Sequence, residues 1–170
     1  LMLLPYWSGV MSPYWDPDAR GVMLGFAPEH GRSHAYRALV EAIALDCAMG
    51  YAAIEAATGE RITELLALGG GARSRLWRQV VADAVGREVA VSETVEATSL
   101  GAAMLAAVAA GWYPDAASAA RAMQGAVRER LAPDPARAAR YAELLDIYRG
   151  LHPALRASFA RLAAFRGSAA

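Results

Sequence analysis

Residues 62–86 read Ile62-Thr63-Glu64-Leu65-Leu66-Ala67-Leu68-Gly69-Gly70-Gly71-Ala72-Arg73-Ser74-Arg75-Leu76-Trp77-Arg78-Gln79-Val80-Val81-Ala82-Asp83-Ala84-Val85-Gly86. Ile62 to Leu68 is a short, largely apolar run, the signature of a strand, and it passes directly into three glycines. Ser74 is placed as a helix N-cap, and Leu76, Trp77, Val80, Val81, Ala84 and Val85 repeat at helical spacing until Gly86 stops them. A strand, a glycine turn and a helix in that order bring backbone N–H groups to a helix N-terminus without intervening side chains. A bulky anion, a flat base or a ribose could lie against such a backbone. A tight turn packed close to its neighbours would need the same glycines.

The pattern extends in both directions. Upstream, Pro5, Gly9, Pro13, Pro17, Gly21, Gly25 and Pro28 leave room only for short strands, of which residues 21–26 are one. A helix over 33–57 follows, capped by Ser33 and ended by Gly59, with Tyr36, Leu39, Val40, Ile43, Cys47, Tyr51 and Ile54 at helical spacing. Downstream, the spacing predicts a strand over 88–91 and a helix over 95–110 whose small residues suit lying flat on a sheet. A short helix capped by Asp115 and ending near Gly125 comes next, then a strand over 127–131. Asp134-Pro135 opens a further helix, and a separate final helix starts at Pro153. The class is α/β with helices in excess.

Composition narrows the chemistry. The 170 residues carry 17 basic and 17 acidic side chains, so no net field draws the chain to nucleic acid or an anionic membrane. All the basic residues are Arg, and without Lys no P-loop, Schiff-base enzyme or Ser-x-x-Lys hydrolase can operate from this chain alone. Ala accounts for 41 residues, so the 56% hydrophobic fraction describes a core where helices approach closely through small side chains. Cys47 is the only cysteine, which rules out an internal disulfide framework and fits a reducing cytoplasm. No run reaches the roughly 18 apolar residues of a membrane span, and no basic leader segment is evident. Starting at Leu1, the chain reads as a piece of a longer protein.

Other candidates each have a plainer reading. His30 and His34 lack a carboxylate to complete a metal set. Glu93, Thr94 and Glu96 suit acid–base work but also a solvated helix start. Asp16 and Asp18 are turn residues beside Pro17. Tyr6, Trp7, Tyr14 and Trp15 could stack on a ring or pin a loop to the core. Cys47 reads as a small buried hydrophobe, and Glu41 and Asp46 as surface or cap-network groups of the long helix.

Several motifs together resemble the FGGY carbohydrate kinases. The stretch Leu68 to Asp83 is similar to that family's nucleotide loop, and Glu96-Ala97-Thr98-Ser99-Leu100-Gly101-Ala102-Ala103 to its later Glu-Ala-x-x-Leu-Gly-Ala-Ala segment. Pro13-Tyr14-Trp15-Asp16-Pro17-Asp18-Ala19-Arg20-Gly21, with Pro5-Tyr6-Trp7-Ser8-Gly9 before it, resembles the family's Trp-Asp-Pro-x-Ala-Arg-Gly loop. Pro133-Asp134-Pro135 with Tyr141 and Tyr148 matches its tail.

The resemblance implies a ribonuclease H-like, actin-like ATPase fold. Residues 1–170 would then be most of a C-terminal nucleotide-binding domain lacking its first strands, with the helices at 33–57 and 95–110 flanking the sheet. It implies ATP along Gly69, Gly70, Gly71 and Ala72, with Ser74 near the adenosine end. Mg2+ would be held elsewhere, and the catalytic Asp base and the sugar-binding domain would lie upstream of Leu1. The implied acceptor is a ketopentose such as xylulose or ribulose, although Gly9-Val10-Met11-Ser12-Pro13 departs from the Gly-Glu-Arg-x-Pro common in the family. This piece alone would then be inactive. Its exposed small-residue helices would serve a homodimer or the absent domain, and an uncovered apolar sheet edge would make the isolated chain prone to pair. The competing reading is a non-catalytic nucleotide-sensing or interaction module of the same descent.

Overall fold

A computed structural model describes residues 1–94 and 96–167. Strands β1 (Met2–Leu4) and β2 (Val22–Leu24) form an antiparallel pair, and helix α1 (Arg32–Thr58) packs on β1. Strand β3 (Leu65–Ala67) leads into a 3-10 turn (Gly70–Arg73) and helix α2 (Arg75–Val85). Strand β4 (Val89–Ser92), helices α3 (Ala97–Ala109) and α4 (Ala116–Met123), strand β5 (Val127–Leu131) and helix α5 (Pro135–Gly167) complete the order. Strand β4 lies between β3, parallel to it, and β5, antiparallel. The architecture is α/β and rich in helix, as the periodicity predicts.

The main core gathers Leu4, Tyr6, Leu45, Met49, Val80, Val81, Tyr148 and Phe159, where β1 and helices α1, α2 and α5 meet. Helix α2 sits at its centre because its buried face is nearly continuous from Val80 to Ala84. Asp83 on that face is 2% exposed. Its Oδ1 accepts from Gln79 Nε2 at 2.9 Å and from the Asp134 N–H at 2.8 Å, and Oδ2 pairs with Arg137 Nε at 2.8 Å. A buried carboxylate is tolerated only with such partners, and here they fasten the start of α5 to α2. Glu55 and Arg87 make a second clasp: both guanidinium arms reach the carboxylate, and Arg87 Nη1 and Glu55 Oε1 also take the Ile62 carbonyl and N–H.

Four expectations are corrected. Helix α1 is capped by Gly31, not Ser33, and His34 Nδ1 accepts the Gly31 N–H at 3.1 Å. The predicted start at Val95 lies outside the described residues; α3 runs from Ala97, packs mainly on α4 and buries only Ala107, so it does not lie flat on the strands. Helix α1 flanks β1, α2 and α5, leaving the three-stranded sheet to α2. The tail is one helix running through Pro153. Proline removes the bond to the carbonyl four residues back, here Arg149, and the Tyr14 hydroxyl donates to that carbonyl instead at 3.1 Å. A side chain from the N-terminal loop thus supplies the donor that Pro153 lacks.

Asp83→Ala should cost about 2–4 kcal/mol, because it orphans the Asp134 N–H and unties α5. Urea unfolding should show a lower midpoint with an unchanged slope.

Candidate functional site

Because β3 and β4 are parallel, with Ala67 opposite Val91, their carboxyl ends lie side by side. That is the end of an α/β sheet where ligands are characteristically held. The turn after β3 carries Gly69 to Ser74, and the segment after β4 carries Glu93 to Glu96. Gly69 has φ +80° and ψ −171°, a backbone conformation open essentially only to glycine. Gly70 needs no such conformation, and a Cβ built on it meets nothing within 4 Å. At Gly71 a Cβ would only touch the Trp77 ring at 3.9 Å. Close packing therefore does not explain the second and third glycines; open space stands above them.

The turn itself is firmly held. The Ala72 N–H bonds to the Gly69 carbonyl, and the Ser74 N–H to the Gly71 carbonyl. Ser74 caps α2 as predicted, its Oγ accepting the Trp77 N–H at 3.3 Å, and its own O–H stays available as a donor. The Ala72 methyl is buried against Val91 and Leu131, so Ala72 could offer a ligand only its backbone. Arg78, on the first turn of α2, is buried and pairs with Glu129 of β5, anchoring the helix from the other side.

Beside the turn opens a cleft of about 660 Å³ between the sheet and helices α3 and α4. Leu66, Leu68, Leu100 and Met104 line it with apolar surface, while Ser92, Thr94 and Arg121 add polar groups. Arg121 hydrogen-bonds Ser118 at 2.9 Å and faces the cleft without a carboxylate partner among the described residues. Gly125 closes one wall so tightly that a Cβ there would lie 2.5 Å from Thr94 Oγ1. Sequence reading missed Arg121 and Gly125: one Arg among seventeen carries no signal, and Gly125 reads as an ordinary helix stop. Glu93 and Glu96 are exposed at the start of α3, which matches the solvated helix start.

The remaining candidates do not join the glycine turn. His30 and His34 lie with ring centres 5.1 Å apart, but each Nδ1 already accepts a backbone N–H, from Ala27 and Gly31. Among the described residues no three His, Cys, Asp or Glu side chains gather as a metal site. Burial pushes the Cys47 thiol up, away from reactivity. Tyr14 and Asp16 pin the N-terminal loop onto α5: the Tyr14 ring stacks on buried His152 at 4.0 Å, and Asp16 Oδ2 lies 2.9 Å from His152 Nε2. Tyr6 is buried in the core, its hydroxyl pushed up to about 12 chiefly by burial. Trp7 and Trp15 stay exposed, Trp7 lying over Gly21 and Trp15 at φ 50°.

Asp16 gives a pH prediction. Burial pushes its carboxyl up, but hydrogen bonds from His152 and from the Asp18 and Ala19 N–H groups outweigh this and hold it below 3.8. A depressed carboxyl stabilises the fold above its unfolded value and loses that contribution as pH falls through the folded one. The stability gap between wild type and Asp16→Asn should be full at about pH 6 and shrink below about pH 4, read by urea titrations across pH. The turn gives a second. Gly69→Ala should destabilise by about 1–3 kcal/mol through its backbone, whereas Gly70→Ala should stay within about 0.5 kcal/mol of wild type.

Comparison with known proteins gives a consistent result. A family model described as the FGGY family of carbohydrate kinases, C-terminal domain, matches residues 1–110. A glycerol kinase of Dechloromonas aromatica (strain RCB) is 42% identical over 115 residues, covering 68% of this chain and 23% of the relative. Among solved structures, a xyloylose kinase from Brucella ovis superposes with a TM-score of 0.79 at 32% identity, over 92% of this chain and 32% of that one. A Plasmodium falciparum glycerol kinase with ADP superposes with a TM-score of 0.67 at 26% identity, over 88% of this chain and 30% of that one. The chain thus spans about a quarter to a third of the length of these proteins.

Proposed function

This chain belongs to the FGGY family of carbohydrate kinases, and from that premise we propose that it is the nucleotide-binding part of an ATP-dependent sugar kinase. Its fold is the helix-rich, ribonuclease H-like C-terminal domain of that family. The observation that carries the functional reading is Gly70: it is held between two fixed neighbours, yet neither its conformation nor its packing calls for glycine. A phosphate or ribose approaching the backbone does call for it.

In this reading Gly69 sets the turn, Gly70 and Gly71 let a nucleotide approach the main chain, and Ala72 contributes backbone only. Ser74 offers its hydroxyl at the positive end of α2, and the adjoining cleft takes the flat, apolar part of the ligand. ATP supplies the transferable phosphoryl group when bound, and Mg2+ would be held by carboxylates outside residues 1–170. The Asp base and the sugar-binding side chains belong to the remainder of the intact protein, so residues 1–170 alone turn over nothing. Phosphoryl transfer depends on positioning and charge stabilisation, and one wall of a cleft cannot align donor with acceptor.

The proposed acceptor is a hydroxyl of a small polyhydroxylated molecule. A ketopentose such as xylulose or ribulose is the specific proposal; it is supported by the xyloylose kinase neighbour, while the glycerol kinase relative makes glycerol the competing acceptor. A coupled ADP-release assay of the intact protein on xylulose, ribulose and glycerol separates them. In that protein Gly70→Val should weaken ADP binding at least tenfold, about 1.4 kcal/mol, with no change in melting temperature. Unchanged affinity would return the turn to a purely structural role.

A further inference from the structure

A second cleft, of about 330 Å³, opens between α1 and the first two turns of α5, and no residue of the glycine turn lines it. Three arginines, Arg37, Arg137 and Arg140, line it beside Leu1 and Tyr141, against a single acidic residue, Glu41. That carboxylate is already engaged: Glu41 Oε1 accepts from Arg37 Nε at 2.7 Å and from the Tyr141 hydroxyl at 2.8 Å. Arg37 Nη2 also donates to the Tyr141 oxygen at 2.7 Å, which fixes the orientation of its fork. Arg137 is held by the buried Asp83 through Nε at 2.8 Å, and its Nη2 makes only a long 3.8 Å approach to Asp134. Arg140 forms no hydrogen bond or ion pair among the described residues.

Two of the three forks are therefore held by groups that do not exhaust their donors, and the exposed third, on Arg140, has no protein partner among the described residues. An arginine has five N–H donors, and several such forks around one cleft suit a tetrahedral oxyanion better than a single carboxylate. The end of α5 that carries Arg137 and Arg140 is also its partial positive end. Leu144 at the edge of the cleft gives an organic group an apolar surface, and the volume lies within the range of small-molecule sites.

We propose that this Arg37–Arg137–Arg140 cleft binds the phosphate group of a small phosphorylated metabolite, at a site separate from the nucleotide turn. The shared chemistry is the phosphate dianion, free or esterified.

The test is titration calorimetry on the intact protein, at constant ionic strength with ADP saturating throughout. Inorganic phosphate is the first probe and a sugar monophosphate the second, each with wild type, Arg140→Ala and Arg140→Lys. Because Arg140 has no structural partner, Arg140→Ala should melt with wild type; Arg140→Lys keeps the charge without the fork. The expected result is a saturable component that Arg140→Ala weakens at least tenfold and Arg140→Lys restores only in part. Tighter Arg140-dependent binding of the ester than of free phosphate assigns the site to an ester, and equal binding assigns it to phosphate itself. Superimposable isotherms for wild type and Arg140→Ala would overturn the proposal. So would full rescue by Arg140→Lys together with equal competition from chloride, since that pattern is diffuse screening.

Discussion

The structure turns on one buried carboxylate. Asp83 has all its acceptor sites turned inward, toward the Gln79 amide, the Asp134 N–H and the Arg137 guanidinium. Removed from water without those donors, the charge would cost several kcal/mol. With them it fixes the distance and angle between α2 and the start of α5. Helix α2 begins directly after the glycine turn, and on its other side Arg78 ties it to β5 through Glu129. A helix fastened from both sides holds its own N-terminus still. The turn in front of it can then remain open to a ligand without collapsing.

The same economy recurs elsewhere. Its sheets are small, two strands and three, and side chains from distant segments satisfy backbone groups that the strands do not. Tyr14 supplies the donor to the Arg149 carbonyl that Pro153 cannot. Arg87 and Glu55 together satisfy the Ile62 carbonyl and N–H at the entry to β3. At the glycine turn, by contrast, a Cβ built on Gly70 would meet nothing within 4 Å, so the main chain there lies bare just ahead of the anchored helix.

Much of this was legible in the residues, for identifiable reasons. Strand, glycine turn, Ser74 cap and Gly86 stop are local signals, and the structure carries all four. Asp115 and Asp134-Pro135 likewise announce their helices within one turn. What escaped depends on groups far apart in sequence. Pro153 reads as a helix start because the Tyr14 hydroxyl, well over a hundred residues earlier, is invisible to a local pattern. The close contact of Gly125 with Thr94 and the three-arginine cleft arise only when separate helices and strands meet. Helix α3 was expected on the sheet because its residues are small, but small residues serve a helix–helix contact equally well, and α4 is the partner it has.

The glycine turn, the cleft beside it and the anchored α2 make one account: a rigid platform at the carboxyl ends of two parallel strands, with its backbone left bare for a nucleotide. The most direct measurement is a crystal structure of the intact protein with a non-hydrolysable ATP analogue. The account predicts the nucleotide against the main chain of Gly69 to Gly71, with Ser74 near the adenosine end and Asp83 still joined to Arg137. A nucleotide bound elsewhere, with the turn facing only solvent, would contradict it.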